Sequence, residues 1–331
     1  MNLLKRSPKS RPTRIFFASD FHGSEPTFRK FVNAARFYEA DVLVFGGDLM
    51  GKAMVPVLAQ RDGTHRAELH GLPHVLEDAG AVDAFTRSVE AAGFYWSVMG
   101  RDEYEALQAD PAAVDRLFVR LARERLARWV GFAEDRLAGS GVSCFLTGGN
   151  DDMTEVLTVL AEAAGEHVVP SEHRVVDLDG RHTMITVGYS TPTPWDTPRE
   201  CSEEELAAFI DESVASVPDA RRCVFNVHVP PLDSGLDRCL KLDSNGELPS
   251  VVKEAGRPVY FGAGSRAVRE AVQAYQPVAS LHGHIHESPG QIRYGRTRSF
   301  NPGSEYPRGV LSGLIVSIRD GDLVGYQHTT G

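Results

Sequence analysis

Ile15-Phe16-Phe17-Ala18-Ser19-Asp20-Phe21-His22 and, a helix later, Val42-Leu43-Val44-Phe45-Gly46-Gly47-Asp48 are the stretches on which the fold turns. In each, an apolar run of strand length stops at a polar cluster, the pattern of a strand buried on both faces. Between them, over residues 26–40, Phe28, Phe31, Val32, Ala35 and Tyr38 recur at helical spacing, and Phe37 widens the stripe. Together the pieces predict a strand-helix-strand unit whose strands carry polar side chains at their carboxyl ends.

Three more apolar runs repeat the pattern, at residues 144–146, 224–227 and 278–281. Residues 174–178 and 182–189 flank Asp179-Gly180, and residues 314–318 and 323–327 flank Asp320-Gly321, both hairpin signals. Parallel crossovers and antiparallel hairpins in one chain predict an α/β fold with mixed sheets. Residues 51–141 separate two strands by far more than an ordinary connection and are read as an insertion. Within it, residues 114–137 place Leu117, Leu121, Trp129, Phe132 and Leu137 at helical spacing, so the insertion is expected to be mainly helical.

Every apolar run ends in a potential metal ligand. Asp20 and His22 follow the first, Asp48 the second, Asn150, Asp151 and Asp152 the third, His228 the fourth, and His284 and His286 the fifth. In α/β sheets, sites collect at the carboxyl ends of strands, so five loops are expected to converge. Imidazole and carboxylate donors suit divalent Mn, Fe, Zn or Mg. Glycines beside Asp48, Asn150 and His284 let the backbone turn sharply where each strand ends.

In order, Asp-x-His, Gly-Asp, Gly-Asn-x-Asp, His and Gly-His-x-His resemble the motifs of the calcineurin-like metallophosphoesterase superfamily, from about residue 14 to the end apart from the insertion. The resemblance implies a four-layer α/β/β/α sandwich of two mixed sheets flanked by helices. It implies two divalent metal ions, one held by Asp20, His22, Asp48 and His286, the other by Asp48, Asn150, His228 and His284, with Asp48 bridging. The activity implied is hydrolysis of a phosphodiester or small organophosphate by a hydroxide bridging the metals, since a metal pair lowers the pKa of a shared water and stabilises attacking and leaving oxygens. Asp151, Asp152 and His228 are the catalytic candidates. At residue 151 the superfamily usually has a histidine that assists the leaving group; an aspartic acid there donates a proton only if burial or Asp152 raises its pKa. Residues 300–304 resemble the turn that follows the histidine pair in many bacterial members, with a structural role.

The composition fits a small substrate. With 331 residues, a 42% hydrophobic share and a formal net charge of -10, the chain can bury a large core but offers no broad basic face to nucleic acid or an anionic membrane. A nuclease would need a basic track, and extended nucleic-acid binding is not expected. A rival is a phosphoesterase-like scaffold without turnover, which has no chemical need for seven ligands. Cys144, Cys201, Cys223 and Cys239 show no metal or disulfide spacing and are read as reduced, cytoplasmic thiols. Residues 1–13 are read as a flexible basic tail, and no apolar stretch of membrane-spanning length is present.

Other features have plainer readings. His282 is expected to pack beside the histidine pair rather than ligate. His65, His70 and His74 are expected at the surface of the insertion, and Arg116, Arg120, Arg123, Arg125 and Arg128 on a solvated helix face. Gly262-Ala263-Gly264-Ser265 resembles a dinucleotide fingerprint superficially, but Ser265 is read as a helix N-cap. Trp195, in a proline-rich loop, packs or stacks on a base.

Overall fold

The structure, a computed structural model, describes residues 11–243 and 250–331. Two six-stranded mixed sheets form its centre. The first runs Asp322–Thr330, Ser312–Arg319, Thr13–Ala18, Val42–Phe45, Ser143–Leu146, Val168–Pro170 in spatial order. The second runs Gly290–Tyr294, Thr297–Asn301, Ala279–Leu281, Cys223–Val227, Thr183–Val187, Val176–Asp177. Four neighbouring strands of each sheet are parallel and the antiparallel hairpins lie at the edges, including both hairpins marked by Asp-Gly.

Alternation of side chains along the strands sets the packing. Phe16, Ala18, Leu43 and Phe45 point to the helices Glu25–Phe37, Pro111–Leu137 and Thr154–Ala163 in one apolar cluster. Their neighbours Ile15, Phe17, Val42 and Val44 point the other way and meet Met184, Val224, Leu281 and Phe300 of the second sheet. Ile185, Phe225 and Val227 face Leu206, Ile210, Val268 and Val272 of the helices Glu203–Ala215 and Arg266–Tyr275. Ser265 caps the last of these, accepting from Val268 N, as expected. Because both faces of the central strands are buried, each must read as a continuous apolar run, which is how the sequence shows them.

Register brings the strand ends level. Ala18 lies beside Phe45, Val44 beside Phe145, Val187 beside Val227, and Leu281 beside Phe300. Polar ties cross between the sheets at this end: Asn226 Nδ2 donates to Phe45 O at 3.2 Å, and His228 Nδ1 lies 2.8 Å from Gly46 O.

The insertion carries three helices, Ala79–Ala91, Arg101–Ala109 and Pro111–Leu137, and also a four-stranded sheet that the sequence pattern did not disclose. Its strands Met54–Ala59, His65–Leu69, Leu72–Leu76 and Tyr95–Met99 enclose a small core of Val55, Val57, Leu76, Phe85 and Val89. Strands with one exposed face alternate polar and apolar residues over too few positions to stand out. His65, His70 and His74 lie on or beside these strands, away from the cleft described below. Of the tail, Thr13 already belongs to a strand and Arg11 pairs with Asp41 at 3.2 Å; residues 1–10 lie outside the described residues.

Arg125 corrects the expectation of a solvated arginine face. Arg116, Arg120 and Arg128 are exposed, but Arg125 is buried. Its Nη1 donates to Gly23 O at 2.8 Å and Phe94 O at 2.9 Å, and its guanidinium lies over the Tyr95 ring. One buried cation thus ties the insertion to the loop that follows His22, and charge-assisted bonds to carbonyls are among the stronger hydrogen bonds. Arg125→Ala is expected to lower unfolding free energy by about 2–4 kcal/mol, because the buried Gly23 carbonyl and the partly buried Phe94 carbonyl lose their donor. Urea denaturation checks this; a change below about 0.5 kcal/mol would show that the tie contributes nothing.

Candidate metal centre

The seven predicted ligands converge where the two sheets end. Asp20, His22, Asp48, Asn150, His228 and their neighbour Ser19 are buried, while His286 is partly open to the cleft. Donor atoms of Asp20, His22, Asp48 and His286 all lie within 4.8 Å of one another. His22 Nε2 is 3.1 Å from His286 Nε2, and His286 Nε2 is 3.4 Å from Asp20 Oδ1. A second set faces it: Asn150 Oδ1 lies 3.0 Å from His228 Nε2 and 2.8 Å from His284 Nδ1. The sets meet at one atom, Asp48 Oδ2, 3.5 Å from His22 Nε2 and 3.4 Å from His228 Nε2.

The backbone at these positions is unusual. Asp20, His22, Asp48 and His284 adopt φ of 61°, 41°, 63° and 67°. Left-handed backbone at non-glycine residues costs free energy and concentrates at functional sites. Of the neighbouring glycines, Gly47 turns sharply before Asp48 as expected, at φ 118°. Gly149 and Gly283 leave room: a Cβ at 149 would collide with the Asp48 carboxylate, and one at 283 with Ser19 Oγ and the Asp20 carboxylate. At the Asp48 loop the turn is shared by Gly47 and Asp48; elsewhere Asp20, His22 and His284 themselves take the left-handed backbone.

Surrounding groups orient the donors. Asp20 accepts from His284 N at 2.9 Å and 3.1 Å. Asn150 Nδ2 donates to Thr197 Oγ1 at 2.9 Å and to Asp151 Oδ1 at 3.0 Å, which turns Oδ1 toward the two imidazoles. Asn301 Nδ2 donates to Ile285 O at 2.8 Å, and Ser304 Oγ to Asp20 O at 2.6 Å, so the turn after the histidine pair braces the loop that carries it. His282 is buried, with Nδ1 2.8 Å from Val227 O and Nε2 2.8 Å from Ser280 Oγ, and takes no place among the donors.

Of the catalytic candidates, Asp151 and His228 reach the site and Asp152 does not. Asp152 is fully buried behind it, accepting from Gly149 N at 2.7 Å, Leu49 N at 2.9 Å and Met50 N at 2.6 Å. It holds the Asp48 loop against the Asn150 loop. Burial and the nearby Asp48 push it up to about 7 against those three bonds. Asp151 lies at the cleft, paired with Lys52 Nζ at 2.6 Å and 3.5 Å from His22 Nδ1. Lys52 was not anticipated, because a single lysine four residues after Asp48 has no signature in sequence. Neither was Tyr306, whose ring centre lies 4.7 Å from that of His22.

Charge at the centre is balanced in a way that suits cations. Burial alone would raise Asp48, but His228 and then His22 hold it well below the usual carboxylate range. Burial likewise opposes Asp20, yet the hydrogen bond and charge of His286 bring it to about 2. Burial lowers His22 well below the usual imidazole range and takes His284 to about 4, which favours the neutral imidazole. His228 is raised to about 9 against its burial by Asp48, and His286 is raised by Asp20. The donor set of imidazole, carboxylate and amide oxygen fits divalent Mn, Fe, Zn or Mg, whose charge would neutralise the two carboxylates.

A pH dependence follows for the metal-free protein. His228, raised in the fold, contributes stability that is complete below about 6.5 and is lost as pH rises through about 9. Asp48, lowered in the fold, contributes stability present above about 3.8 and lost as pH falls below it. Urea midpoints of chelator-treated protein should therefore decline from about pH 6.5 to 9, and His228→Gln should flatten that decline. Cation uptake near neutral pH should release at least one proton, read by calorimetry as an enthalpy that changes with the buffer.

No family model and no curated protein matches the chain. Solved structures do. One crystal structure matches with a TM-score of 0.56 and 14% identity over 97% of this chain and 98% of that one. The protein TT1561 of Thermus thermophilus matches at 0.49 and 13% identity, covering 97% and 98% of the two chains. A dimetal phosphatase from Danio rerio matches at 0.32 and 10% identity, covering 97% and 99%. The first alignment runs nearly end to end in both chains, so the likeness is one of the whole fold. Two mixed sheets meeting at a shared aspartate, in the motif order read from the sequence, agree with the fold implied by the resemblance to the calcineurin-like metallophosphoesterases.

Proposed function

We propose that the chain is a divalent-metal-dependent phosphoesterase that hydrolyses phosphodiesters or other small organophosphates. The observation that carries this is the shared oxygen: Asp48 Oδ2 stands 3.5 Å from His22 Nε2 on one side and 3.4 Å from His228 Nε2 on the other. Asp20, His22, Asp48 and His286 would hold one cation, and Asp48, Asn150, His228 and His284 the other. When bound, such a pair supplies Lewis-acid charge and a water acidic enough to attack phosphorus near neutral pH.

The chain's own groups do the rest. Asp152 and Asn301 keep the ligand loops in place, so little reorganisation is needed when an anion arrives. Lys52 stands at the mouth with its ammonium held by Asp151, where it offers charge and a proton to a departing ester oxygen. Burial and Asp48 raise Asp151, while Lys52 opposes them. In this proposal Asp151 positions Lys52, and the pair does the work expected of the histidine usual at residue 151. Lys52 is the one lysine or arginine lining the cleft among the described residues, which favours a single phosphate over a polynucleotide track.

Restoring Mn to chelator-treated protein should yield turnover of bis(4-nitrophenyl) phosphate, with Asp48→Asn lower by at least about a thousandfold. No turnover above the Asp48→Asn protein with any of the four metals would remove the hydrolase proposal. Lys52→Ala and Asp151→Ala should each reduce kcat/KM by about 10- to 100-fold for alkyl esters and far less for 4-nitrophenyl esters, which need no help in leaving. An equal loss on both kinds of ester would take leaving-group assistance away from the pair.

A further inference from the structure

The cleft continues well past the metal end. Its volume is about 560 Å³, within the range of pockets that enclose an organic ligand. Besides Asp48, Asn150 and the histidine pair, its lining includes the rings of Trp195 and Phe261. Trp195 is 59% exposed and Phe261 42% exposed, costly for large rings unless something covers them.

Both rings stand on braced backbone. Glu200 Oε1 accepts from Thr193 Oγ1 at 2.5 Å, Thr197 N at 2.9 Å and Thr197 Oγ1 at 2.7 Å. Thr193 Oγ1 in turn accepts from Trp195 N at 3.2 Å, and Thr197 Oγ1 accepts from Asn150 Nδ2. The tryptophan loop is therefore tied to a metal-set residue through two threonines and one glutamate. Phe261 lies on the strand Tyr260–Gly262, paired with Arg238–Leu240, and Asp237 closes the turn by accepting from Asp233 N at 2.7 Å and Ser234 N at 3.1 Å. Charge argues against a second phosphate here, since Asp48, Asp151 and Glu287 line the cleft against Lys52 alone.

We propose that the Trp195–Phe261 end of the cleft is a subsite for a flat aromatic substituent, a nucleobase or an aryl ring, on an ester whose single phosphate sits at the metal end. The proposal rests on the phosphoesterase reading for its phosphate half. Stacking on aromatic side chains tolerates any planar ring, because every such ring presents a π face.

Calorimetry with Mn-treated protein and three monoesters, methyl phosphate, phenyl phosphate and thymidine 5′-phosphate, holds the phosphate constant and varies only the substituent. Phenyl or thymidine phosphate should bind about tenfold tighter than methyl phosphate. Trp195→Ala and Phe261→Ala should each remove most of that preference while methyl phosphate binding stays within twofold; whichever of the two rings is preferred separates aryl from nucleobase. Three equal dissociation constants, or a preference that survives both substitutions, would overturn the subsite. If no phosphate binds, neutral thymidine and phenol titrated into metal-free protein decide instead. Saturable binding lost in Trp195→Ala supports the subsite though the phosphoesterase reading fails, and its absence with both overturns it. Turnover of bis(4-nitrophenyl) phosphate without any ring preference would leave the phosphoesterase reading standing and the subsite refuted.

Discussion

One buried carboxylate oxygen between two imidazoles organises this protein. Asp48 Oδ2 faces His22 from the first sheet and His228 from the second, and the carboxylate is almost fully withdrawn from water. A charge in that position is tolerable only with compensating charge close by, from imidazolium protons in the metal-free chain or from cations. The surrounding construction serves that requirement: left-handed turns at four ligands, glycines that clear space for Asp48 and Asp20, and a second carboxylate, Asp152, gripping the backbone behind.

Two sheets are needed because neither supplies a full set of donors. Asp20, His22, Asp48 and Asn150 follow strands of the first sheet, and His228, His284 and His286 follow strands of the second. Level strand ends and the ties from Asn226 and His228 to residues 45 and 46 keep the two halves in register. A slip of one residue in either sheet would turn every inward side chain outward, so the apolar packing that aligns the strands also aligns the donors. The insertion joins this arrangement through Arg125, whose bond to Gly23 O braces the loop beside His22.

At residue 151 the site departs from the superfamily that its motifs resemble, and the difference is local and chemical. An aspartate stands there in place of the usual histidine, and a lysine from the start of the insertion lies within 2.6 Å of it. Besides that pair the cleft has an aromatic part, to which a loop and a short strand from different parts of the second half of the chain each contribute one exposed ring.

The sequence alone determined the strand-helix-strand unit, the two Asp-Gly hairpins and the placing of seven donors after five strands. These depend on neighbours within a few residues: doubly buried strands must be apolar throughout, and polar residues must follow where a strand leaves the core. Only the tertiary structure decided that Asp152 faces the backbone while Asp151 faces the cleft, that Arg125 is buried among exposed arginines, that the insertion carries a sheet, and that Lys52, Trp195 and Phe261 share one cavity with the donors. Adjacent aspartates, or arginines along one helix, look alike in one dimension. Their surroundings are set by residues tens to hundreds of positions away, which meet only when the sheets and the insertion pack.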